Sequence, residues 1–549
     1  MQKFWRFATA IAVPPLVVWT AIQVSTVYHA KGAGWQGAAL WALALAGAII
    51  LNTVFAHVRP FKEKPKNPFQ FHPVPADNAV ELQERVTAQT ATITRQEAMV
   101  FAAAIARPEQ FRRNIVEEYT PNRRTLHKAV TVDLKLPAEW LGNSRIAVPI
   151  IVNKKGDLLD DFHVGGPGDD TTCLTYDSYL DLVAEVLHIL LLVTEDKTFS
   201  GKLSDAGKNA ELLALHGILS RADTRKPVAV DLSGAKAIEQ LPTKHPQVRA
   251  MAALLARQLT SNYAIVVQVP LVPEHTFGFR LTLTPPVKFT RPDSPRRMSP
   301  LGYLRVLIGA RPVTLNIDIA NAATCTSYHL HVHAPDDLYL ARQQVVGLDG
   351  ILKRAAYSAP TPPHCRFRRR LGQPHAHFHA RYMPEFREDN PHVVLDFQEV
   401  PPGSILRASI TGVAAFLILW LIGYVTSRST TANAPGTDAP TFLLAFPALA
   451  ATWLGFDSPA RKLLEGTLPA RLSLAVTAAL SIAGCWLFMM HKSLESRWDR
   501  LPEGHSLLGV TEVGWAVVVG LALINAILIV YQCFIRTWEY SHLLTKADR

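Results

Sequence analysis

Long apolar segments stand at both ends of the chain and leave a polar stretch of 345 residues between them, from Arg59 to Gly403. A helix crosses the bilayer core of about 30 Å in roughly 20 residues, so segments of this length and composition are typical of membrane spans. Such ends exclude a single water-soluble core. The 549 residues therefore divide into a membrane part and an inserted polar part.

About six spans are predicted, two before the insertion and four after it. The fourth segment is short and carries Pro447, so it either crosses as a kinked span or re-enters the same side. The predicted spans are Phe7–Tyr28, Trp35–Ala56, Ala408–Thr426, Thr441–Phe456, Leu472–Met490 and Val513–Ile535. The fold class is thus a multi-pass α-helical membrane protein with a large inserted cytoplasmic α+β region followed by an antiparallel β-sandwich.

Lysine and arginine in the short flanks indicate the orientation, because cytoplasmic loops retain positive charge. Counting all flanks, 13 basic residues fall on one side and 5 on the other. The central insertion and both termini are therefore predicted to be cytoplasmic. If the Pro447 segment does not cross, the C-terminus changes sides and the insertion does not. Abundant Arg, Ala and Pro indicate a GC-rich bacterial genome, and so the bacterial inner membrane.

The pattern of apolar residues divides the chain into five parts. Helical periodicity dominates to about residue 261, and a period of two follows it, typical of antiparallel strands. One of the predicted helices is Glu109–Glu118. The parts are an N-terminal transmembrane hairpin (1–58), a basic Pro-rich tether (59–76), an α+β domain (77–290), a β-sandwich (312–403) and a C-terminal membrane domain of three or four spans (404–549).

Two histidine trios carry the strongest chemical signal. Side chains two apart share one face of a strand, so each trio projects from a single face. If the two strands are neighbours, the six imidazoles converge, and they suit zinc or another divalent metal. The alternative is a solvated outer face of the sandwich. The trios are His329, His331, His333 and His375, His377, His379.

Two charged clusters are candidate binding loops. Oxygen-rich loops hold Ca²⁺ or Mg²⁺, yet the aspartate loop lacks the spacing of a calcium-binding loop, and an exposed turn is the alternative. The arginine run suits a lipid headgroup or nucleotide, or is merely solvated. The loop contains Asp157, Asp160, Asp161, Asp169 and Asp170, and the run contains Arg366, Arg368, Arg369 and Arg370.

The remaining signals disfavour several function classes. Five scattered cysteines argue against a disulfide framework. Glu185 and His188 have a di-iron-like spacing without a second copy, so we interpret them as a polar helix stripe. The central region carries 42 basic and 36 acidic residues, too small an excess for a nucleic-acid partner. Ionisable residues are absent inside the spans, which disfavours a secondary transporter.

The sequence therefore predicts a polytopic inner-membrane protein with a cytoplasmic region that binds a ligand or partner. Its role is that of a scaffold, sensor or signal relay, since no catalytic signature is present. Its partners are the lipid bilayer and either another protein or a second copy of the chain. Two alternatives stay open, namely a metal-dependent enzyme at the inner leaflet and a membrane effector that permeabilises the bilayer on activation.

Overall fold

The computed structural model describes most of the chain after the predicted tether. The predicted spans Phe7–Tyr28 and Trp35–Ala56 lie outside the described residues, as does nearly all of the tether 59–76. The described residues are 76–88, 92–121, 125–137, 145–155, 160–166, 171–197, 201–220, 232–270, 276–284, 314–334, 337–352, 361–368, 371–384, 386, 391–428, 439–456, 468–493 and 506–547.

A seven-stranded sheet forms the centre of the polar region. Its strand order is β11-β12-β9-β1-β2-β7-β4. Neighbouring strands are antiparallel except β1 and β9, which are parallel. The strands are β1 Arg112–Pro121, β2 Leu126–Lys135, β4 His163–Gly165, β7 Thr276–Leu283, β9 Ser327–His333, β11 His364–Arg368 and β12 His375–Arg381.

Two three-stranded sheets share a hydrophobic core with one face of the large sheet. Alternate residues of the strands point into this core, and the residues between them point away from it. One small sheet has the order β3-β6-β5 and the other β10-β13-β8. Their strands are β3 Arg145–Lys154, β5 Thr172–Cys173, β6 Asn262–Pro270, β8 Thr314–Asp318, β10 Leu338–Val346 and β13 His392–Glu399.

Six helices pack on the second face of the β3-β6-β5 sheet. On β6, Ile265 and Val267 join the core with the large sheet, whereas Ala264 and Val266 join the helical core. This alternation gives β6 two buried faces. The helices are α1 Ala76–Ala88, α2 Arg95–Ala106, α3 Tyr176–Thr194, α4 Asp205–Leu219, α5 Ser233–Glu239 and α6 Pro246–Ser261.

The region predicted as a β-sandwich, 312–403, contributes strands to two sheets, and one of these sheets also contains strands from earlier in the chain. Strands β9, β11 and β12 extend the large sheet, which also contains strands from 112–135 and 276–283. Strands β8, β10 and β13 form a small sheet by themselves. The physical reason is the parallel β1 and β9 pairing, a contact between distant segments that local periodicity does not encode.

The predicted helix Glu109–Glu118 is wrong, because residues from Arg112 onward form strand β1. Ile115, Glu117 and Tyr119 alternate into the interior, a period of two. Pairing on both sides of β1 outweighs the local helical preference.

Among the described residues, four helices follow the β region. Three of them are long and apolar enough to cross a membrane: Gly403–Arg428, Leu468–Met489 and Val513–Thr545. The fourth contains a shorter apolar stretch, Phe442–Ala451. Exposed leucines such as Leu417, Leu421 and Leu528 cover the outside of these helices. The complete helices are α7 Gly403–Arg428, α8 Ala439–Phe456, α9 Leu468–Ser493 and α10 Val513–Ala547.

Close packing of α7 on α10 gives the first prediction. A Cβ atom on Gly423 would lie 2.9 Å from the buried Trp515 ring, so Gly423→Ala forces that ring to move. Overpacking typically costs about 1–3 kcal/mol, which outweighs the gain of about 0.5–1 kcal/mol from replacing a helical glycine. We expect a lower thermal unfolding midpoint for the full chain in detergent.

Gly412→Ala is the matched control on the same helix. Its Cβ would lie 3.6 Å from the nearest atom, on Ile529, which is an ordinary contact. This variant should unfold at or above the wild-type temperature. Equal destabilisation of both variants would contradict the packing argument.

Candidate functional site

The two histidine strands are neighbours in the large sheet. Strands β9 and β12 pair antiparallel, with His329 opposite His379, His331 opposite His377 and His333 opposite His375. All six histidines therefore stand on one face, which we call the histidine face. The residues that alternate with the histidines along the two strands are buried on the other face, namely Tyr328, Leu330, Val332, Ala376, Phe378 and Ala380. Burial of these residues fixes the register, since a shift by one residue would exchange the two faces.

Three of the imidazoles form a tight group. One ring nitrogen from each of His329, His331 and His377 lies within 4.8 Å of the other two, an arrangement that could hold a metal ion. Nδ1 of His329 is 3.2 Å from Nε2 of His377. The rings of His331 and His377 stack with their centroids 4.3 Å apart. The side chains are half-buried, so the group is open to solvent on one side.

The other three predicted histidines surround this group. The ring of His379 packs against that of His329, with centroids 4.4 Å apart and the planes tilted by 32°. Its Nε2 is buried without a hydrogen-bond partner among the described residues. Nε2 of His333 is 3.1 Å from Oε1 of Glu118 on strand β1. His375 is opposite His333 at the end of the ladder.

Burial and neighbouring positive charges favour neutral imidazoles. Burial lowers the pKa of His329, and the nearby His379, His331 and Arg381 lower it further. Burial, Arg381 and His364 lower the pKa of His379 in the same way. Neutral imidazole is the form that offers a lone pair to a metal.

The predicted acidic loop is only partly described. Asp160 and Asp161 are exposed, and the carbonyl of Asp160 accepts a hydrogen bond from the amide of Thr284 at 2.9 Å. Oδ1 of Asp161 is 3.8 Å from Nδ1 of His163 on strand β4. Asp157, Asp169 and Asp170 lie outside the described residues, so the cation site stays a prediction.

The predicted basic patch begins on strand β11, beside the histidine strand β12. Arg366 is opposite His379, and Arg368 is opposite His377. Arg366 is exposed on the side of the sheet that carries the histidines. Arg369 and Arg370 lie outside the described residues. The patch therefore starts next to the histidine face rather than on a separate surface.

Glu185 and His188 line a cleft of about 1130 Å³ between α1, α3 and β3. Glu185 accepts hydrogen bonds from Thr92 and Ile93. Nδ1 of His188 is 2.8 Å from Oε1 of the buried Glu211. Glu185 thus holds the segment that precedes α2, and His188 contacts α4, so both side chains have structural partners.

A buried charged pair beneath the sheet was missed by sequence reasoning. Nζ of Lys128 is 3.1 Å from Oε1 of Glu117, whose side chain is 1% exposed. The hydroxyl of Tyr119 donates to Glu117 at 3.1 Å, and Asn321 also donates to this carboxylate. Burial is the largest single effect and lowers the pKa of Lys128, but Glu117 and Tyr119 together outweigh it, so the pKa is raised overall. In the sequence, Glu117 alternates with the apolar Ile115 and Tyr119, and this period of two is the pattern that could have indicated a buried carboxylate on a strand.

Comparison with known proteins identifies no family. No protein-family model matches the chain, and no curated protein matches it. Among solved structures, a "putative protease" of Parabacteroides distasonis is similar over 73% of this chain and 63% of that chain, with 9% identity and a TM-score of 0.17. The chain thus covers less than two thirds of that structure. Similarity at this TM-score carries no argument about fold or function.

The lowered histidine pKa values predict a pH dependence of stability. Folded His329 and His379 bind protons less readily than a free histidine of pKa 6.5, so the unfolded chain takes up more protons below that pH. Stability should then fall as the pH drops below about 6.5 and stay level above it. The thermal unfolding midpoint of the full chain, measured with a chelator between about pH 5.5 and 8, checks this.

The double variant His329→Gln with His379→Gln should lose part of this slope. His163→Gln, at an exposed position on β4, should keep it. A slope that is the same in all three proteins would contradict the assignment to these two histidines.

Proposed function

We propose that the chain is a membrane-anchored binding protein in which the histidine face takes up a ligand and the C-terminal helix relays its presence. It acts as a sensor or signal relay, with another protein or a second copy as the receiving partner. One observation carries this proposal. The end of the apolar helix α10 packs on strand β10 and on the turn that precedes the histidine strand β12.

The length of α10 supports the proposal. Its 35 residues extend over about 52 Å, whereas a bilayer core is about 30 Å thick. The apolar part ends near Ile535, so the last turns project beyond the core. There Tyr540 packs on Tyr339 of strand β10, with ring centroids 4.7 Å apart. Tyr339 is 1% exposed, and its hydroxyl donates to Gln398 at 2.9 Å.

The same helix end touches the turn between β11 and β12. Side-chain atoms of Leu544 and Leu543 would lie 3.4 and 3.7 Å from a Cβ on Gly372, which has a φ of +89°. These are ordinary contacts, and it is the positive φ that favours glycine at this position. Backbone hydrogen bonds join Gly372 and Gln373 to Leu340 of β10. His375 follows this turn by two residues, so a movement of β12 reaches α10 through a short path.

The proposed location is the bacterial inner membrane, with the β region in the cytoplasm. Support comes from the three apolar helices and from the basic residues in the flanks of the predicted spans. In this arrangement α10 ends in the cytoplasm, where its last turns meet the β region. The two N-terminal spans and a crossing α8 complete a multi-pass topology of about six spans.

The relay predicts that a change at the histidine face alters the stability of the end of α10, and that a change there alters the histidine strands, because energetic coupling is reciprocal. In full chain reconstituted in nanodiscs, Tyr540→Ala should speed up amide hydrogen exchange about tenfold in 338–346 and 372–381, as expected for a loss of about 1.4 kcal/mol of packing. His377→Asn should change the rate of amide hydrogen exchange in 536–545. Hydrogen exchange followed by mass spectrometry measures the effect of both variants.

Two controls separate the relay from general loosening. Trp538→Ala removes a ring that is 68% exposed on the same helix, and His163→Asn changes an exposed histidine at the far edge of the same sheet. Neither should alter the distant segment. If His377→Asn leaves 536–545 unchanged, the relay is wrong.

The orientation is tested with Cys173, which is exposed on strand β5. In a variant that keeps this cysteine and replaces the other four, a membrane-impermeant maleimide should label inverted membrane vesicles and spare intact spheroplasts. Burial raises the pKa of the thiol, so labelling near neutral pH, where maleimides are selective for thiols, needs a longer reaction time. Labelling of intact spheroplasts would reverse the assigned side.

A further inference from the structure

We infer that the histidine face binds one transition-metal ion through His329, His331 and His377, with coordination positions left open to solvent. This inference rests on the proposed function and names the ligand class of the same site. The ion is of the kind that imidazole nitrogen selects, such as Zn²⁺, Cu²⁺, Ni²⁺ or Co²⁺.

The distances fit a coordination sphere. Metal to imidazole bonds of about 2.0–2.1 Å place two ligand nitrogens of a tetrahedral site about 3.3–3.4 Å apart. The 3.2 Å between Nδ1 of His329 and Nε2 of His377 is close to that edge. The third nitrogen, from His331, lies within 4.8 Å of the other two. Ring rotation about the soft χ2 torsion brings it part of the way, and a small adjustment of the two strands brings it the rest.

The backbone preorganises the three ligands. His329 and His331 stand two apart on β9, and His377 lies opposite His331 on the paired strand β12. Two strands held by a ladder of hydrogen bonds thus present a triangle of imidazoles. Buried Leu330 and Phe378 hold the register from the other face of the sheet. The ion therefore meets ligands that the strand pairing has already brought close together.

A neighbouring hydroxyl positions the first ligand. Oγ of Ser327 is 3.3 Å from Nε2 of His329, on the nitrogen that does not face His377. If Nε2 carries the proton and donates it to Ser327, Nδ1 is left with a lone pair for the metal. A hydrogen bond from the ring nitrogen that does not bind the metal orients a metal-binding histidine and fixes its tautomer. Ser327 is therefore a positioning residue of the site.

The ligand chemistry selects against hard cations. Mg²⁺ and Ca²⁺ prefer oxygen ligands, and the three-residue group contains only imidazoles. The carboxylate of Glu118, one strand away, is engaged by His333 at 3.1 Å. Arg381 and the exposed Arg366 add positive charge near the site, so binding should be weaker than at a site with a carboxylate ligand.

Three protein ligands leave the ion accessible. Structural zinc sites are closed by four protein ligands, whereas three ligands leave a position for water or an exogenous group. The half-buried rings face solvent, which allows the ion to exchange. Exchange is what a sensing site needs, since occupancy must follow the concentration of free metal.

The test uses the full chain in detergent, without an affinity tag that binds metal, after chelator treatment. Titration with Zn²⁺ and with Co²⁺ should show one saturable site per chain, and Co²⁺ should give the visible absorption of a nitrogen-ligated, low-symmetry site. Mg²⁺ should not compete. His331→Asn and His377→Asn should each weaken Zn²⁺ binding at least about tenfold, and Ser327→Ala by about tenfold.

His163→Asn and His392→Asn are the controls, since β4 and β13 lie outside the group. If the site variants misfold, protection in the wild type replaces them: Zn²⁺ should slow diethyl pyrocarbonate modification of His329, His331 and His377 and leave His163 unaffected. Binding that survives the double variant His331→Asn with His377→Asn, or the absence of saturable binding, overturns the site.

The two proposals fail in different ways. Loss of metal binding with intact coupling between His377 and 536–545 would leave the relay with another ligand. Stoichiometric metal binding without any change in hydrogen exchange at 536–545 would leave a metal site and remove the relay.

Discussion

The parallel pairing of β1 with β9 is the constraint on which the polar region depends. It joins residues 114–119 to residues 327–332, more than two hundred positions later in the chain. Because β9 is fixed on one side by β1, its other edge accepts β12 and then β11. The histidine face exists only because this pairing brings a late segment of the chain into the sheet begun by early ones.

A buried charged pair lies under this junction. Glu117 is on β1, next to the β9 pairing, and Lys128 is on the adjacent strand β2. Removing one member of such a pair leaves an uncompensated charge in the interior and typically costs about 3–5 kcal/mol. Asn321, in the short helical turn before β9, also contacts the carboxylate. The carboxylate thus connects β1, β2 and the approach to β9, and a shifted register would separate it from these partners.

The parts of the fold that depend on local pattern were predictable from the sequence. Helix α3 follows a continuous amphipathic period and begins one residue after Thr175, whose side chain caps it. Helix α6 begins at Pro246, as a proline in the first turn favours. Helices α7, α9 and α10 are long and apolar enough for the predicted spans. In each case neighbours within one or two turns determine the outcome.

The parts that depend on pairing were not predictable. Alternation on β1 competed with an apparent helical period, and only its two partner strands decide between them. The alternation of each histidine trio was evident from the sequence, and so was the shared face within a trio. Which strand lies beside β9, and in which register, is set by tertiary contacts. A shift of one residue would have opposed His331 to Ala376 or Phe378 and dispersed the imidazoles.

The proposed relay depends on the contact between the end of α10 and the strands that carry the histidines. An ion that draws three imidazoles together acts on β9 and β12, and β12 begins at the turn that the end of α10 contacts. A ligand shifts an equilibrium only by its difference in affinity between two arrangements. The three nitrogens lie within 4.8 Å of one another, against an edge of about 3.3–3.4 Å in a metal complex, and under the proposal the metal binds more tightly to the closed arrangement. In the proposed relay, the strands next to α10 bear the strain of closing this site, and the site and α10 respond together.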